Sequence, residues 1–458
     1  MTCPDSLRAQ LLRKLALDDA MLDPLQAPAQ SPIIPITLGR ITLLTGPSGC
    51  GKTLALKRLL LDRNDESALD DSPFNDSAPD ALTLLEASAR EFSTRDDWLQ
   101  AVVHATGLCD ARILRTPASK LSTGEQTRVQ LALALLRLQA GGILVIDEFC
   151  AALDSLRAKA LAALLAKLAA KHTFACVIAT HRSEVIPYLN PAHTLDWQGA
   201  PPSPHSLAAP LSTAQELPDQ LEIEPARKRD WPYFARHHHR AKKLGPIATA
   251  FVAKIDGEAI AMIVYAFPGL SCSLRKHALP AEFSQASMRE RAHALNRDLR
   301  VLQRLVVLPA FRGLGIGAAL ARATLPRVGA KYVESIATDP RVLVSAGMSV
   351  AGATQPAPRA RRLLGLLREF DFSPQSLNTA EHRAALFAQL PSMQSRSLER
   401  ALLAALREYI ESHHGHLRAA LSDPRTRSKA HAHIPQMLLR ITSSRSYLIW
   451  QAARSPSS

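Results

Sequence analysis

The stretch ITLLTGPSGCGKT, residues 41–53, decides the first part of the fold. Its first five residues are apolar or β-branched and predict a buried strand, and the Leu- and Ala-rich residues after it predict a helix. The loop between them has the spacing G-x-x-x-x-G-K-[ST], in which glycines let main-chain N–H groups point inward around phosphates at the helix N-terminus. This order predicts a nucleotide-phosphate site. Its residues are Gly46, Pro47, Ser48, Gly49, Cys50, Gly51, Lys52 and Thr53.

Two further apolar runs deliver polar side chains to the same site. Residues 143–146 are followed by Asp147 and Glu148, and residues 173–179 lead to His181. In a parallel sheet the carboxyl ends of such strands lie beside the phosphate loop. We therefore expect Thr53 and Asp147 to bind Mg²⁺, Lys52 to reach the β- and γ-phosphates, and Glu148 to act as general base on the attacking water.

The segment LSTGEQ, residues 121–126, opens a predicted helix and has two interpretations. By itself, Ser122 with Glu125 three residues later is a capping box, in which each residue satisfies a main-chain N–H of the first turn. The segment also resembles the Leu-Ser-Gly-Gly-Gln signature of ABC-type ATPases. The phosphate loop, the Asp-Glu pair, the following Ala152-Leu153-Asp154 and His181 occur in the same order as in that family.

This resemblance covers about residues 33–197 and implies an ATP-binding, ATP-hydrolysing domain. In the family, ATP lies between two domains, so Ser122 and Gly124 would contact the γ-phosphate held by the opposite subunit. A single copy then implies a homodimer, or pairing with another such domain, and His181 would act as the switch histidine beside the catalytic water. Thr123 and Glu125 differ from the usual glycine and glutamine.

Transport is the least favoured function for this domain. Only 69 residues separate Lys52 from Leu121, which is short for the family and leaves little room for the insert that docks on membrane domains. No uncharged apolar run reaches the ~18–20 residues needed to span a bilayer, and we expect no membrane partner. Six scattered cysteines without a CxxC pair indicate a reducing, cytoplasmic setting.

Composition divides the chain into two halves of different charge. Of 458 residues, 47% are apolar and 21% charged, values that exclude a wholly disordered chain. Residues 1–200 carry 20 basic and 22 acidic side chains, whereas residues 201–458 carry 35 and 19. The excess that gives the net charge of +14 therefore lies in the second half. Such a field favours polyanions, nucleic acid above all, although general solubility would also explain it.

A second glycine-rich loop lies in this basic half. Residues 249–255 and 258–265 predict a hairpin with an Asp256-Gly257 turn. Residues 302–308 then predict a strand, followed by PAFRGLGIGA at 309–318 and a helix. A dinucleotide fingerprint with Glu334 as the acidic partner is one interpretation. The preceding hairpin and the residues between strand and glycines argue against it.

The same loop resembles the acetyl-CoA motif of the GNAT acetyltransferase superfamily, Arg/Gln-x-x-Gly-x-Gly/Ala. The match covers about residues 230–350 and implies a mixed, mainly antiparallel sheet in which two central strands splay to admit the pantetheine arm. By this resemblance, main-chain N–H groups of the loop would hold the pyrophosphate of acetyl-CoA. The residues concerned are Arg312, Gly313, Leu314, Gly315, Ile316 and Gly317.

The catalytic base of acyl transfer is sought among three consecutive histidines. His237 and His238 are the base candidates, since the pKa of an unperturbed histidine is about 6.5. The alternatives for these histidines are contacts with phosphates, a metal site or a solvated helix face. The segment resembles a His-His-Tyr segment of Mom-type DNA-modification proteins, with His239 in the place of tyrosine.

The sequence therefore predicts an α/β ATPase domain with a parallel-core sheet, joined to an α+β GNAT-like domain with a mixed sheet. The expected activity is ATP hydrolysis combined with acetyl-CoA-dependent N-acyl transfer, acting on nucleic acid. The alternatives are an ATP-gated nucleic-acid-binding module without transferase activity, or an orphan ABC transport ATPase. The predicted segments are a helical extension at 1–32, the ATPase domain at 33–197, a Pro-rich linker at 198–229, the GNAT-like domain at 230–360 and a mostly helical extension at 361–458.

Overall fold

The computed structural model describes most of the chain between residues 34 and 452. The described residues are 34–47, 49–61, 79–91, 98–99, 102–103, 106–108, 111–138, 142–151, 153–196, 215–237, 244–279, 281–284, 287–354, 356–414, 417–419, 427–442 and 445–452. The predicted extension at 1–32 and the predicted site residues Ser48 and His238 lie outside them. The chain divides into two compact units between Gln220 and Leu221, and the short segment Pro309–Leu314 belongs to the first unit.

The first unit contains a four-stranded parallel sheet, as predicted. Its strands are β1 (Ile41–Thr45), β2 (Ile143–Ile146), β3 (Ala175–Ala179) and β4 (His193–Asp196), in the order β2-β3-β1-β4. All three pairings are parallel. β2 and β3 are buried along their whole length, as expected for a sheet covered on both faces. The carboxyl ends of β1, β2 and β3 consequently lie at one edge of the sheet.

Helices connect these strands. The helices of this unit, among the described residues, are α1 (Lys52–Leu61), α2 (Ala81–Glu91), α3 (Ala111–Leu114), α4 (Thr123–Arg137), α5 (Ser155–His172) and α6 (Ile186–Leu189). α1 follows the loop after β1, α4 precedes β2, and α5 joins β2 to β3. Asp154 caps α5 by accepting a hydrogen bond from the main-chain N–H of Arg157.

The second unit contains a seven-stranded mixed sheet. Its strands are β5 (Glu222–Pro225), β6 (Ile247–Ile255), β7 (Glu258–Ala266), β8 (Leu299–Val307), β9 (Tyr332–Ala337), β10 (Ser349–Thr354) and β11 (Arg445–Gln451). They lie in the order β10-β11-β9-β8-β7-β6-β5. All pairings are antiparallel except that of β8 with β9. Asp256 and Gly257, both with positive φ, form the predicted tight turn between β6 and β7.

Two groups of helices are inserted between strands of this sheet. The first group lies between β7 and β8, and the larger one lies between β10 and β11, where it has its own core around Leu363, Leu398 and Leu406. The helices of the unit are α7 (Trp231–Ala235), α8 (Ser273–Ala278), α9 (Met288–Asp298), α10 (Ile316–Thr324), α11 (Arg341–Ser345), α12 (Pro358–Glu369), α13 (Ala380–Gln389), α14 (Ser392–His413), α15 (Arg427–His431) and α16 (Ile434–Thr442).

The mixed sheet uses more of the chain than the predicted segment 230–360. β5 comes from the predicted linker, where Pro225 is tolerated because β5 is an edge strand that needs no complete hydrogen-bond ladder. β11 comes from the predicted helical extension and pairs with both β9 and β10. In the part of the chain that the structure describes, no helix combines the length and apolarity needed to cross a bilayer.

Candidate functional site

The phosphate loop follows β1 as predicted, and its conformation depends on glycine. Gly46 and Gly51 have φ values of 136° and 100°, which side-chain-bearing residues rarely adopt. The ammonium of Lys52 donates hydrogen bonds to the carbonyl oxygens of Gly46 at 2.9 Å and Pro47 at 2.7 Å. The positive charge is therefore held at the loop itself, at the N-terminus of α1.

The two residues predicted to bind a metal are in direct contact. The hydroxyl of Thr53 donates to Oδ2 of Asp147 at 2.5 Å, although 94 residues separate them in the sequence. The other carboxylate oxygen of Asp147 accepts from the main-chain N–H of Glu148 at 2.9 Å. Oxygen donors of this kind are the ligands that Mg²⁺ prefers, so the pair fits the ion. Among the described residues, no three or more His, Cys, Asp or Glu side chains come together in a group that could hold a metal ion.

A cavity of about 230 Å³ joins the ends of β1, β2 and β3. It brings together the predicted base Glu148, the predicted switch residue His181 and the phosphate loop. Glu148 is exposed and has a φ of 47°, a left-handed conformation that turns the chain sharply after β2. The lining residues are Gly49, Gly51, Lys52, Thr53, Asp147, Glu148, Ala179, Thr180 and His181.

Arg182 is a structural residue that the sequence reasoning missed. Its guanidinium donates to the carbonyl oxygens of Cys150, at 2.8 Å, and Leu153. It also pairs with Glu184 at 2.7 Å. Because Arg182 follows His181 directly, it ties the strand end that carries His181 to the loop after Glu148. Its position next to His181 was the available signal, but its carbonyl partners Cys150 and Leu153 lie 32 and 29 residues away in the sequence.

The signature segment forms the capping box and is held by an ion pair. Both the main-chain N–H and the hydroxyl of Ser122 donate to Oε2 of Glu125, at 3.0 and 2.9 Å. Arg112 pairs with the other carboxylate oxygen at 2.5 Å. Burial raises the pKa of Glu125, but the hydrogen bonds from Arg112 and Ser122 outweigh it, and the net effect lowers the pKa. Glu125 is therefore a carboxylate that orients Ser122.

Ser122 and Gly124 do not line the cavity beside Lys52. Gly124 lies in the first turn of α4, where a Cβ atom would be 2.9 Å from the side chain of Leu153. A larger residue at this position would have to displace Leu153, which belongs to the loop held by Arg182.

The second glycine-rich loop connects β8 to α10. Gly313 and Gly315 have φ values of 82° and 87°, and Gly315 is the N-cap of α10. Gly317 lies in the first turn of α10, where a Cβ atom would be 3.4 Å from Val342 and 3.5 Å from Val307. Gly313 and Gly315 allow the positive φ values of the turn that leads into α10. Gly317 allows the first turn of α10 to pack closely against Val342 and Val307.

β8 and β9 stop pairing well before β8 reaches the second glycine-rich loop. Their parallel pairing covers only Leu299–Tyr332, Arg300–Val333 and Val301–Glu334, although β8 continues to Val307. Beyond that point the hydroxyl of Ser335 donates to the carbonyl oxygen of Leu302 at 3.3 Å. This is the strand arrangement that the GNAT resemblance implies.

A buried ionic network lies at the same point of the sheet. Arg275 donates to both carboxylate oxygens of Glu334, at 2.9 and 2.5 Å, and to the carbonyl oxygen of Gly269. Tyr447 of β11 donates to Glu334 at 2.7 Å. Burial lowers the pKa of Arg275, but the hydrogen bonds and charge of Glu334 outweigh the effect of burial, so the net effect raises this pKa. For Tyr447, burial and the charge of Glu334 both raise the pKa. With its carboxylate engaged in this network, Glu334 does not fit the role of ribose ligand.

The histidine candidates are only partly described. His237 is half-buried on the turn that follows α7, and its main-chain N–H donates to the carbonyl oxygen of Phe234 at 3.0 Å. Its partner candidate His238 lies outside the described residues. The assignment of a catalytic base to either histidine remains a prediction.

Comparisons with known proteins divide the chain in the same way. The family model of the AAA domain matches residues 37–185, and that of the acetyltransferase (GNAT) family matches residues 213–340. An alignment of 183 residues with human ATP-binding cassette sub-family B member 6 shows 29% identity and covers 32% of this chain and 20% of that protein. A second alignment, of 163 residues, is with the aliphatic sulfonates import ATP-binding protein SsuB of Yersinia pestis bv. Antiqua. It shows 32% identity and covers 32% of this chain and 58% of that protein.

A solved structure described as the ATP binding subunit of an ABC transporter shares 17% identity with this chain. It has a TM-score of 0.30 and covers 36% of this chain and 77% of its own. The chain spans less than two thirds of the length of the two curated relatives above.

Proposed function

Since the chain joins an ABC-type ATPase domain to a GNAT-family acetyltransferase domain, we propose that it hydrolyses ATP and transfers an acetyl group from acetyl-CoA to nucleic acid. The observation that carries the ATPase part is the meeting of Lys52, Thr53, Asp147, Glu148 and His181 around one cavity. The splay of β8 and β9 next to the loop at 312–317 supports the transferase part. The free thiols of the described cysteines agree with a cytoplasmic location.

In the proposed hydrolysis, the triphosphate lies along the loop at the N-terminus of α1. Lys52 then exchanges its main-chain acceptors for the β- and γ-phosphate oxygens. Thr53 and Asp147 would hold Mg²⁺, which neutralises charge on the phosphates when bound. Glu148 accepts a proton from the attacking water as the water oxygen bonds to the γ-phosphorus, and the bond to the β-phosphate oxygen breaks. His181 orients the γ-phosphate and this water.

We further propose that two copies of the chain enclose the nucleotide. Ser122 and Gly124 would then contact ATP bound to the partner's cavity, which explains why they lie apart from Lys52 in one copy. To do so, the Ser122 hydroxyl must exchange the Glu125 carboxylate for a phosphate oxygen. Glu125 and Arg112 hold the serine until that exchange.

Mixing two inactive variants tests this arrangement. Lys52→Ala and Ser122→Ala should each lose ATP hydrolysis, whereas an equal mixture should recover about a quarter of wild-type turnover. Half of the dimers formed at random are mixed, and each mixed dimer holds one intact composite site. The measurement is phosphate release by each variant and by the mixture. An inactive mixture whose subunits are shown to exchange would contradict the shared site, and full activity of Ser122→Ala alone would do the same.

In the proposed acyl transfer, main-chain N–H groups of residues 312–317 hold the pyrophosphate of acetyl-CoA at the N-terminus of α10. The thioester reaches the opening between β8 and β9. The acceptor nitrogen attacks the thioester carbonyl carbon, and the C–S bond breaks. His237 or His238 accepts the proton that the acceptor nitrogen loses and passes it to the departing sulfur, so that CoA leaves as the thiol. The basic second half of the chain supports a polyanionic acceptor.

Gly317→Val is expected to weaken acetyl-CoA binding by about 5- to 150-fold. The Cβ atom would lie 3.4–3.6 Å from Val342, Val307 and Leu305, so the added methyl groups must displace α10 from the end of β8. Overpacking of this kind costs about 1–3 kcal/mol. Calorimetric titration with acetyl-CoA measures the effect. The matched control is Gly365→Val, also within a helix but with no atom within 4 Å of its added Cβ, and equal affinities of the two variants would argue against this binding site.

Labelled acetyl-CoA tests the acceptor class. We expect transfer of label to DNA or tRNA, and the reaction is run with and without ATP to detect coupling between the domains. Label on protein alone would remove the nucleic-acid part of the proposal. Absence of acetyl-CoA binding in the calorimeter would remove the transferase part.

A further inference from the structure

The helical group between β10 and β11 exposes a helix face that is rich in arginine. α12 buries Ala360, Leu363 and Leu367, whose spacing of three and four residues places them on one side of the helix, against the core around Leu398 and Leu406. The opposite side exposes Arg361, Arg362 and Arg368. We call these three residues the arginine face.

In the part of the chain that the structure describes, no acidic side chain pairs with the arginine face. None of the ion pairs formed among the described residues includes Arg361, Arg362 or Arg368. The acidic residue of α12 itself is Glu369, at the end of the helix. Elsewhere in the unit, the exposed Lys331 and Arg341 and the half-buried Lys254 do pair with carboxylates. The positive charge of the arginine face is therefore available to a ligand.

The chemistry of the face indicates phosphate groups. Guanidinium is planar, weakly hydrated and able to donate two parallel hydrogen bonds to a phosphate, which makes arginine better suited than lysine to contacts of this kind. Arg361 and Arg368 are separated by seven residues, or about 10 Å along the helix axis. That distance corresponds to about three base-pair steps of a duplex at 3.4 Å each.

Side chains that would indicate other nucleic acids are lacking on this helix. Single strands are bound by stacking bases on aromatic residues, and α12 contains none. Double-stranded RNA is recognised through its 2′-hydroxyl groups, and α12 contains no Ser, Thr, Asn or Gln to hydrogen-bond them. Charge alone, on a rigid helix, fits the phosphate backbone of duplex DNA.

We propose that the arginine face is the surface through which this chain binds the backbone of double-stranded DNA. The proposal rests on the nucleic-acid part of the proposed function and adds the surface and the kind of duplex. The contacts are to phosphates, so binding is independent of base sequence and strongly dependent on salt.

The test compares two triple variants of the full-length protein. In the first, Arg361, Arg362 and Arg368 are replaced by glutamine, which has a similar helix propensity. In the control, three exposed basic residues of the first unit, Arg115, Lys120 and Lys171, are replaced by glutamine, which removes the same charge. Fluorescence anisotropy with a labelled 20-base-pair duplex gives the affinity at several salt concentrations, and circular dichroism verifies that both variants are folded.

We expect the arginine variant to bind the duplex about 100-fold more weakly near 0.1 M salt. The plot of log affinity against log salt should become less steep, with a slope smaller in magnitude by about three, since three phosphate contacts are lost. The control should keep the wild-type slope. Equal losses in both variants would show that net charge, not this surface, drives binding and would overturn the proposal.

Other ligands in the same assay distinguish failure of this proposal from failure of the proposed function. If the wild-type protein binds duplex DNA and the arginine variant binds it equally well, the surface assignment is wrong while nucleic-acid binding stands. If only tRNA, or only anionic lipid vesicles, depend on the arginine face, the DNA assignment is wrong. If the wild-type protein binds no nucleic acid, the proposed substrate class fails together with the surface.

Discussion

Replacing Glu148 by glutamine is expected to lower kcat for ATP hydrolysis by about 10²- to 10⁴-fold, the usual contribution of a general base. The amide has nearly the shape of the carboxylate but cannot accept the proton of the attacking water. Lys52, Thr53 and Asp147 would be unchanged, so the affinity for ATP should stay close to that of the wild type. Single-turnover hydrolysis and equilibrium binding of a labelled nucleotide separate the two effects.

Two further variants serve as controls for Glu148→Gln. Glu216→Gln removes the charge of another exposed glutamate of the same unit and should hydrolyse ATP normally. Lys52→Ala should lose nucleotide binding as well as turnover, because it removes the charge held at the loop. If Glu148→Gln hydrolysed ATP at the wild-type rate, another group would have to activate the water.

Replacing Arg275 by methionine is expected to lower the free energy of unfolding of the second unit by about 3–5 kcal/mol. The change leaves the carboxylate of Glu334 buried without its bidentate partner, while Tyr447 supplies only one hydrogen bond. Both ionic side chains are almost inaccessible, with 5% and 7% of their surface exposed, so solvent cannot compensate the charge. Denaturant unfolding followed by tryptophan fluorescence measures the loss.

The double variant Arg275→Met with Glu334→Leu is the informative control. Removing both charges should restore most of the lost stability, because an apolar pair of similar volume avoids the desolvation of two ions. Tyr447→Phe should cost about 1–3 kcal/mol, since it removes one hydrogen bond to a charged acceptor. A double variant as unstable as Arg275→Met would show that packing, not charge, accounts for the effect.

Local pattern was sufficient to predict which residues of the first unit line one cavity. The strand before Gly46, the strand before Asp147 and the strand before His181 are short apolar runs, and parallel pairing places their ends together without further information. The contact between Thr53 and Asp147 follows from that topology. What pattern did not reveal was Arg182, because an arginine in a polar loop carries no sign of the carbonyl groups it will meet.

The mixed sheet was harder to predict because its pieces are far apart in the sequence. The hairpin turn at Asp256 and Gly257 is a local signal and was predicted correctly. Arg275 and Glu334 are 59 residues apart, and Glu334 and Tyr447 are 113 apart, so no periodicity links them. The sequence suggested Glu334 as a ribose ligand in one interpretation, whereas tertiary burial gives it an ionic role.

The position of β11 in the sheet bears on how the protein is made. β11 pairs with β9 on one side and β10 on the other, yet about 90 residues, which include the helices α12 to α16, are synthesised between β10 and β11. At about 5–20 residues per second on the ribosome, β10 waits several seconds or more for its strand partner. During that time the helical group can assemble around its own core, and Glu334 lacks Tyr447. The mixed sheet thus becomes complete only late in translation, which makes β9 the strand edge most in need of protection in the nascent chain.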